Sequence, residues 1–133
     1  VLYNYNNIDD SYNFLYLFEG MKDVLKLVLL GVDNVVATFG VNITDGHILL
    51  LSKYTDLVLV YDNDNAGKIG TLKAIKHLRK KFNIKIIDLS DINKKDGFEI
   101  ESLEEFNNLK RYSVFEYLNK YNLTLKDLED IKW

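Results

Sequence analysis

Residues 57–67 read LVLVYDNDNAG. Leu57 to Tyr61 form an unbroken apolar run, and with Asp56 the predicted strand spans 56–61. Apolar residues without polar alternation indicate a strand covered on both faces, as in parallel sheets. The run ends in Asp62 and Asp64, one residue apart, before Ala66-Gly67 opens a helical pattern. Residues i and i+2 of an extended chain project to the same side. Two like charges therefore meet at the end of a buried strand. One of them must take up a proton unless a cation neutralises the pair.

Working outward, AGKIGTLKAIKHLRKKF (66–82) is a helix with Ile69, Leu72, Ile75, Leu78 and Phe82 on or near one face, and NIKIIDLS (83–90) is a strand. Upstream, NFLYLF (13–18) is a strand that ends at Glu19-Gly20. MKDVLKLVLLG (21–31) places Met21, Val24, Leu25, Val28 and Leu29 at helical spacing, with Gly31 as the stop. NVVATFG (34–40) is a further strand, and Thr44 can cap a helix over 45–54. The order βαβαβαβ predicts an α/β fold with four mostly parallel strands, right-handed crossovers and flanking helices. Such sheets bind ligands beyond the carboxyl ends of their strands. Glu19, Asp62, Asp64 and Asp96 all fall at that edge.

Past residue 100 the pattern becomes helical. Ser102 with Glu105 and Ser113 with Glu116 fit capping boxes, and Thr124 can start a last short helix. Leu103, Phe106 and Leu109 form one apolar set, and Phe115, Leu118 and Tyr121 another. The expected organisation is a lead-in over 1–12, an α/β unit over 13–99 and a helical extension over 100–133, with no internal repeat.

Composition bounds the function. A chain of 133 residues with 47% hydrophobic content can bury a core. It has no cysteine, which excludes disulfides and cysteine-ligated zinc within it and favours a cytoplasmic location. No apolar stretch is long enough for a membrane helix. The start at Val1 rather than Met suggests a piece of something longer. A net charge of −3 argues against tight unaided DNA binding, although divalent cations in an acidic site would invert the local field.

Each candidate has a structural reading beside its functional one. An aspartate after a strand is often a helix cap; a pair at i and i+2 also suits Mg²⁺, a hard cation that completes its shell with water and phosphate. Glu19 gains weight from the shared edge, where it could position or deprotonate an attacking hydroxyl. Lys22 and Lys68 lie in first helical turns, where a cation opposes the helix dipole, so both are candidate phosphate contacts, with Gly67 allowing close approach. The basic run KHLRKKFNIK (76–85) reads as a solvated helix end, and His47 and His77 as structural. Neither a serine or cysteine nucleophile nor a phosphate-binding glycine-rich loop is present.

Three segments in order carry a resemblance: Glu19-Gly20 with Asp23 three residues on, the NVVATFG strand followed by Thr44, and Asp62-x-Asp64-x-Ala66-Gly67. KKDGFE (94–99) adds a fourth. Together they resemble the Toprim domain of DnaG-type bacterial and phage DNA primases over roughly residues 13–99. The resemblance implies a Toprim-like (Rossmann-like) fold and metal-dependent nucleotidyl transfer with Mg²⁺ or Mn²⁺. Glu19 would be the general acid or base, or a metal ligand; Asp62, Asp64 and Asp96 would be metal-binding. The implied partners are nucleoside triphosphates, a single-stranded DNA template and, through parts outside this chain, a replicative helicase. Ala66 stands where topoisomerases tend to carry a third Asp. Phe98 stands where primases usually place a second acid, for which Glu99 is a possible substitute. A Toprim nuclease and a non-catalytic Toprim interaction module are the alternatives.

Overall fold

The computed structural model describes residues 2–38 and 42–131. In chain order it contains β1 (Phe14–Phe18), α1 (Met21–Leu30), β2 (Val35–Ala37), α2 (Asp45–Leu51), β3 (Asp56–Val60) and α3 (Asn65–Leu78). There follow β4 (Asn83–Ile87), α4 (Leu103–Asn108), β5 (Arg111–Ser113), α5 (Val114–Lys120) and α6 (Leu125–Glu129). The sheet order is β2-β1-β3-β4-β5. The first four strands pair in parallel, as the alternating pattern predicts, and β5 closes the far edge antiparallel to β4. Of the predicted strand 34–40, Phe39 and Gly40 lie outside the described residues.

Alternate strand residues feed two cores, as the pleat requires. Leu15, Leu17, Leu57 and Leu59 face Ile48 and Leu51 of α2 and Ala74, Ile75 and Leu78 of α3. Tyr16, Phe18, Val58 and Val60 face Val24 and Leu27 of α1 and Phe106 of α4. The helix boundaries follow the caps. Gly31 takes φ 103°, a left-handed conformation suited to glycine, and ends α1. Thr44 caps α2, and Ser113 and Thr124 form reciprocal capping boxes on α5 and α6. No helix among the described residues is long and apolar enough to cross a membrane.

Four expectations are corrected. The sheet has five strands, not four: β5 is three residues long, too short to show a period, and it sits inside the supposed helical extension. Residues 2–12, the described part of the lead-in, also join the fold, because Leu2 and Ile8 are buried and Tyr3 bridges Ala37 beside β2. The second apolar set of the extension is wrong in one member: Phe115 is exposed, and Tyr117 is buried with Leu118. On α1, the spacing set is largely exposed, with Leu29 at 84%, while Asp23, Val24 and Leu27 face inward. This helix is apolar over most of its circumference, so periodicity could not choose its buried face. The choice fell to Asp23, whose carboxylate is drawn inward by two backbone amides.

Candidate active site

The chain crosses from β1 to β2 on one side and returns to place β3 on the other. Strand order therefore reverses between β1 and β3, and their carboxyl ends open a crevice. Glu19 is the first residue past β1, and Asp62 follows β3 after Tyr61. The two segments are tied directly: the Asp62 amide donates to Glu19 Oε1 at 3.2 Å. Asn63 attaches a third segment. Its backbone N–H donates to the Lys95 carbonyl at 2.6 Å, and its side-chain amide donates to the Lys94 carbonyl at 3.1 Å. These bonds carry Asp96 to the same crevice.

Asp23 completes the group. It belongs to the Glu-Gly-x-x-Asp segment that carries the resemblance, but unlike Asp62 and Asp64 it follows no strand end in the sequence and is not among the candidate acids read there. It is 2% exposed; Oδ2 accepts from Gly20 N–H at 3.2 Å and Oδ1 from Phe98 N–H at 3.0 Å. The second bond pins the 3₁₀ turn Gly97–Glu99 onto α1. Gly97 has to be glycine here, since a Cβ would stand 2.6 Å from the Phe18 ring and 3.1 Å from Asp23 Cβ.

The electrostatics match the crowding. Burial, then the charges of Glu19, Asp23, Asp96 and Asp64, push Asp62 up to about 7. Burial also raises Glu19, reinforced by Asp64 and Asp23 and partly offset by the Asp62 amide. Asp23 is raised by burial and by Asp96, although two amides and Lys22 oppose the shift. Four like-charged neighbours acting on one half-buried carboxyl favour a bound proton or a cation.

The other predicted residues divide. Asp96 is buried and caps nothing; Oδ2 lies 3.4 Å from the Lys22 ammonium, and Oδ1 is buried with no hydrogen-bond partner. Lys22 thus stands at the crevice, paired with an acid. Asp64 caps α3, its Oδ1 accepting from Gly67 N–H at 2.6 Å, so the structural reading of that residue is realised. The Gly67 amide is already engaged by this cap. A Cβ on Gly67 would lie 1.9 Å from the Asp62 carbonyl oxygen, so close packing of α3 against the Asp62 backbone accounts for the glycine. The Lys68 ammonium sits 5.4 Å from the Tyr121 ring centroid, toward the C-terminal helices. Glu99 turns back to accept from the Lys95 amide. His47 accepts from Thr44 N–H within the α2 cap and is structural, as expected.

Hard oxygen donors and a buried, unpartnered carboxylate oxygen fit a divalent cation. Among the described residues, no three His, Asp or Glu side chains yet stand close enough to form a ready-made shell. The donor chemistry fits such an ion, and its remaining ligands would come from water and phosphate. An open groove between α5 and α6, lined by Phe115, Leu118 and Leu125, touches none of these acids.

A second polar cluster lies at the end of β4. Lys120 of α5 bonds Asp88 at 2.8 Å and Asp91 at 2.7 Å, and the Tyr121 hydroxyl also donates to Asp88. This clamp holds the C-terminal helices to the sheet. The sequence did not single it out, because its partners lie about thirty residues apart.

Comparison with known proteins gives a consistent picture. A Toprim-like family profile matches residues 16–99. The DNA primase of Clostridium acetobutylicum is 35% identical over 95% of this chain and 22% of its own length. That of Staphylococcus aureus (strain MRSA252) is 38% identical over 67% of this chain and 16% of its own length. The chain thus spans about a fifth of the curated relatives it matches. Among solved structures, the Aquifex aeolicus primase (zinc-binding and RNA polymerase domains) aligns with a TM-score of 0.63 at 26% identity, covering 97% of this chain and 34% of that one. The E. coli primase catalytic core, at 24% identity, shares the fold with a TM-score of 0.66 over 90% of this chain and 43% of its own. The motifs, the sheet order and the profile match agree: the chain belongs to the Toprim-like family.

Proposed function

We propose that this chain is the Toprim catalytic subdomain of a DNA primase, taking part in RNA primer synthesis from nucleoside triphosphates on a single-stranded DNA template. The observation that carries the reading is Asp62, a half-buried carboxyl pushed up to about 7 by burial and the surrounding acids. Asp64 caps α3 and Asp23 holds two backbone amides, but these structural roles do not account for Glu19, Asp62 and Asp96 gathering at the same crevice. Asp62, Asp64 and Asp96 would hold Mg²⁺ or Mn²⁺, with Asp64 leaving its cap to do so. When bound, the metal supplies charge that offsets the carboxylates and lowers the barrier to attack of a 3′-hydroxyl on an α-phosphate. Glu19, raised above its ordinary range first by burial, is suited as the carboxylate to accept a proton from that hydroxyl. The Asp62 amide fixes its direction. Lys22, at the rim, is placed to meet phosphate if it leaves Asp96. The relatives' common name, DNA primase, supports this choice among the chemistries a Toprim fold can host.

The test is templated primer synthesis by the full-length product of the gene carrying this sequence. Asp62→Asn and Glu19→Gln should each lower the rate by on the order of a hundredfold or more, with the fold intact. Full activity in Asp62→Asn would sink the assignment.

A further inference from the structure

Phe98 combines exposure with a rigid mounting. Its residue is 49% exposed, yet its amide is held by Asp23 Oδ1 at 3.0 Å. The preceding Gly97 is wedged against the Phe18 ring. The Ile100 amide closes the turn on the Gly97 carbonyl at 3.2 Å. Two ammonium groups from successive turns of α1 gather at the ring: Lys22 Nζ at 5.5 Å and Lys26 Nζ at 5.4 Å from its centroid. Lys22 also reaches Asp96, so the ring stands directly beside the acidic crevice.

An exposed aromatic gains little hydrophobic stabilisation where it stands. An exposed apolar ring with two cations over it matches a ligand with a flat base and a nearby anion. Bases of any sequence stack on aromatic rings, and the ammonium groups suit phosphate. We propose that Phe98, with Lys22 and Lys26, forms a stacking platform for a nucleobase whose phosphate is held at the crevice rim. The ligand class is a phosphate-bearing nucleobase, supplied either as a free nucleoside triphosphate or within a single strand. The inference rests on the reading of the crevice as a nucleotide-handling site.

The experiment measures binding alone, in chelator, so that it stays separate from the activity test. The 133-residue chain is titrated with a fluorescent thymidine decamer, an abasic deoxyribose-phosphate decamer of equal length, and ATP. Phe98→Ala should weaken binding of at least one base-bearing ligand about tenfold, in line with aromatic stacking. Phe98→Trp should restore it, and the abasic decamer should bind both variants equally. Loss for the decamer alone assigns the platform to a strand, and loss for ATP alone assigns it to a free nucleotide. The proposal is overturned by unchanged affinity for both, by equal loss for the abasic decamer, or by no measurable binding of either by the unaltered chain at millimolar ligand. Asp62→Asn should leave the Phe98 effect in place. Loss of primer synthesis in that variant with no Phe98 effect would overturn the platform and leave the catalytic reading standing.

Discussion

Asp62→Asn should stabilise the metal-free chain, increasingly as pH rises from 3.8 through about 7. The Asp62 carboxyl is raised from 3.8 to about 7 in the folded chain. A raised carboxyl binds its proton more tightly when folded, so its stabilising contribution is fully present below pH 3.8 and is lost as pH rises through about 7. A shift of about three units corresponds to roughly 4 kcal/mol, and solvent screening of a half-buried group reduces this to about 2 kcal/mol. Asparagine keeps the volume and stays neutral. In chelator at pH 3, below the unfolded value, the two proteins should therefore melt within about 1 °C of each other. At pH 8 the variant should be more stable by about 2 kcal/mol, on the order of 6 °C for a chain of this size. Millimolar Mn²⁺ at pH 8 should raise the melting temperature of the unaltered chain more than that of the variant, because a ligand stabilises the state that binds it. The assay is a set of thermal melts at both pH values, with and without the ion. A variant that is less stable by the same amount at pH 3 and pH 8 would refute the electrostatic argument and return Asp62 to a structural role.

Two further predictions concern the frame around the site. Gly67→Ala puts a Cβ 1.9 Å from the Asp62 carbonyl oxygen, so the turn must shift. It should cost about 2 kcal/mol in urea unfolding, and displacement of Asp62 should flatten the dependence of melting on pH. Burial alone would raise Asp88, but Lys120, Tyr121 and Ser90 outweigh it and hold the carboxyl below its ordinary range. A lowered carboxyl contributes stability above its unfolded value and loses it as pH falls. Lys120→Met leaves the buried Asp88 without its cation, and should destabilise the chain by about 2 kcal/mol at pH 7 and by much less below pH 4, measured by urea titration at both values.

Local signals were enough for much of the fold. The parallel strands could be read because both faces of each are covered, which leaves uninterrupted runs such as Leu57–Tyr61. The caps at Thr44, Ser113 and Thr124 and the stop at Gly31 could be read because capping acts within a few residues. The position of Glu19, Asp62 and Asp96 at one edge followed from strand order alone, since parallel strands end on the same side. Tertiary structure decided the rest. It turned α1 so that Asp23 is buried and Leu29 exposed, because the Asp23 carboxylate accepts both the nearby Gly20 amide and, from 75 residues away, the Phe98 amide. It added β5, whose three residues become a strand only when β4 offers its free edge. It also fixed the meaning of the acids. Whether Asp62 is an ordinary cap or a carboxyl pushed up to about 7 depends on burial and on the charges of residues 19, 23, 64 and 96. Those distances are set by the packing of the whole sheet, and no local stretch of sequence encodes them.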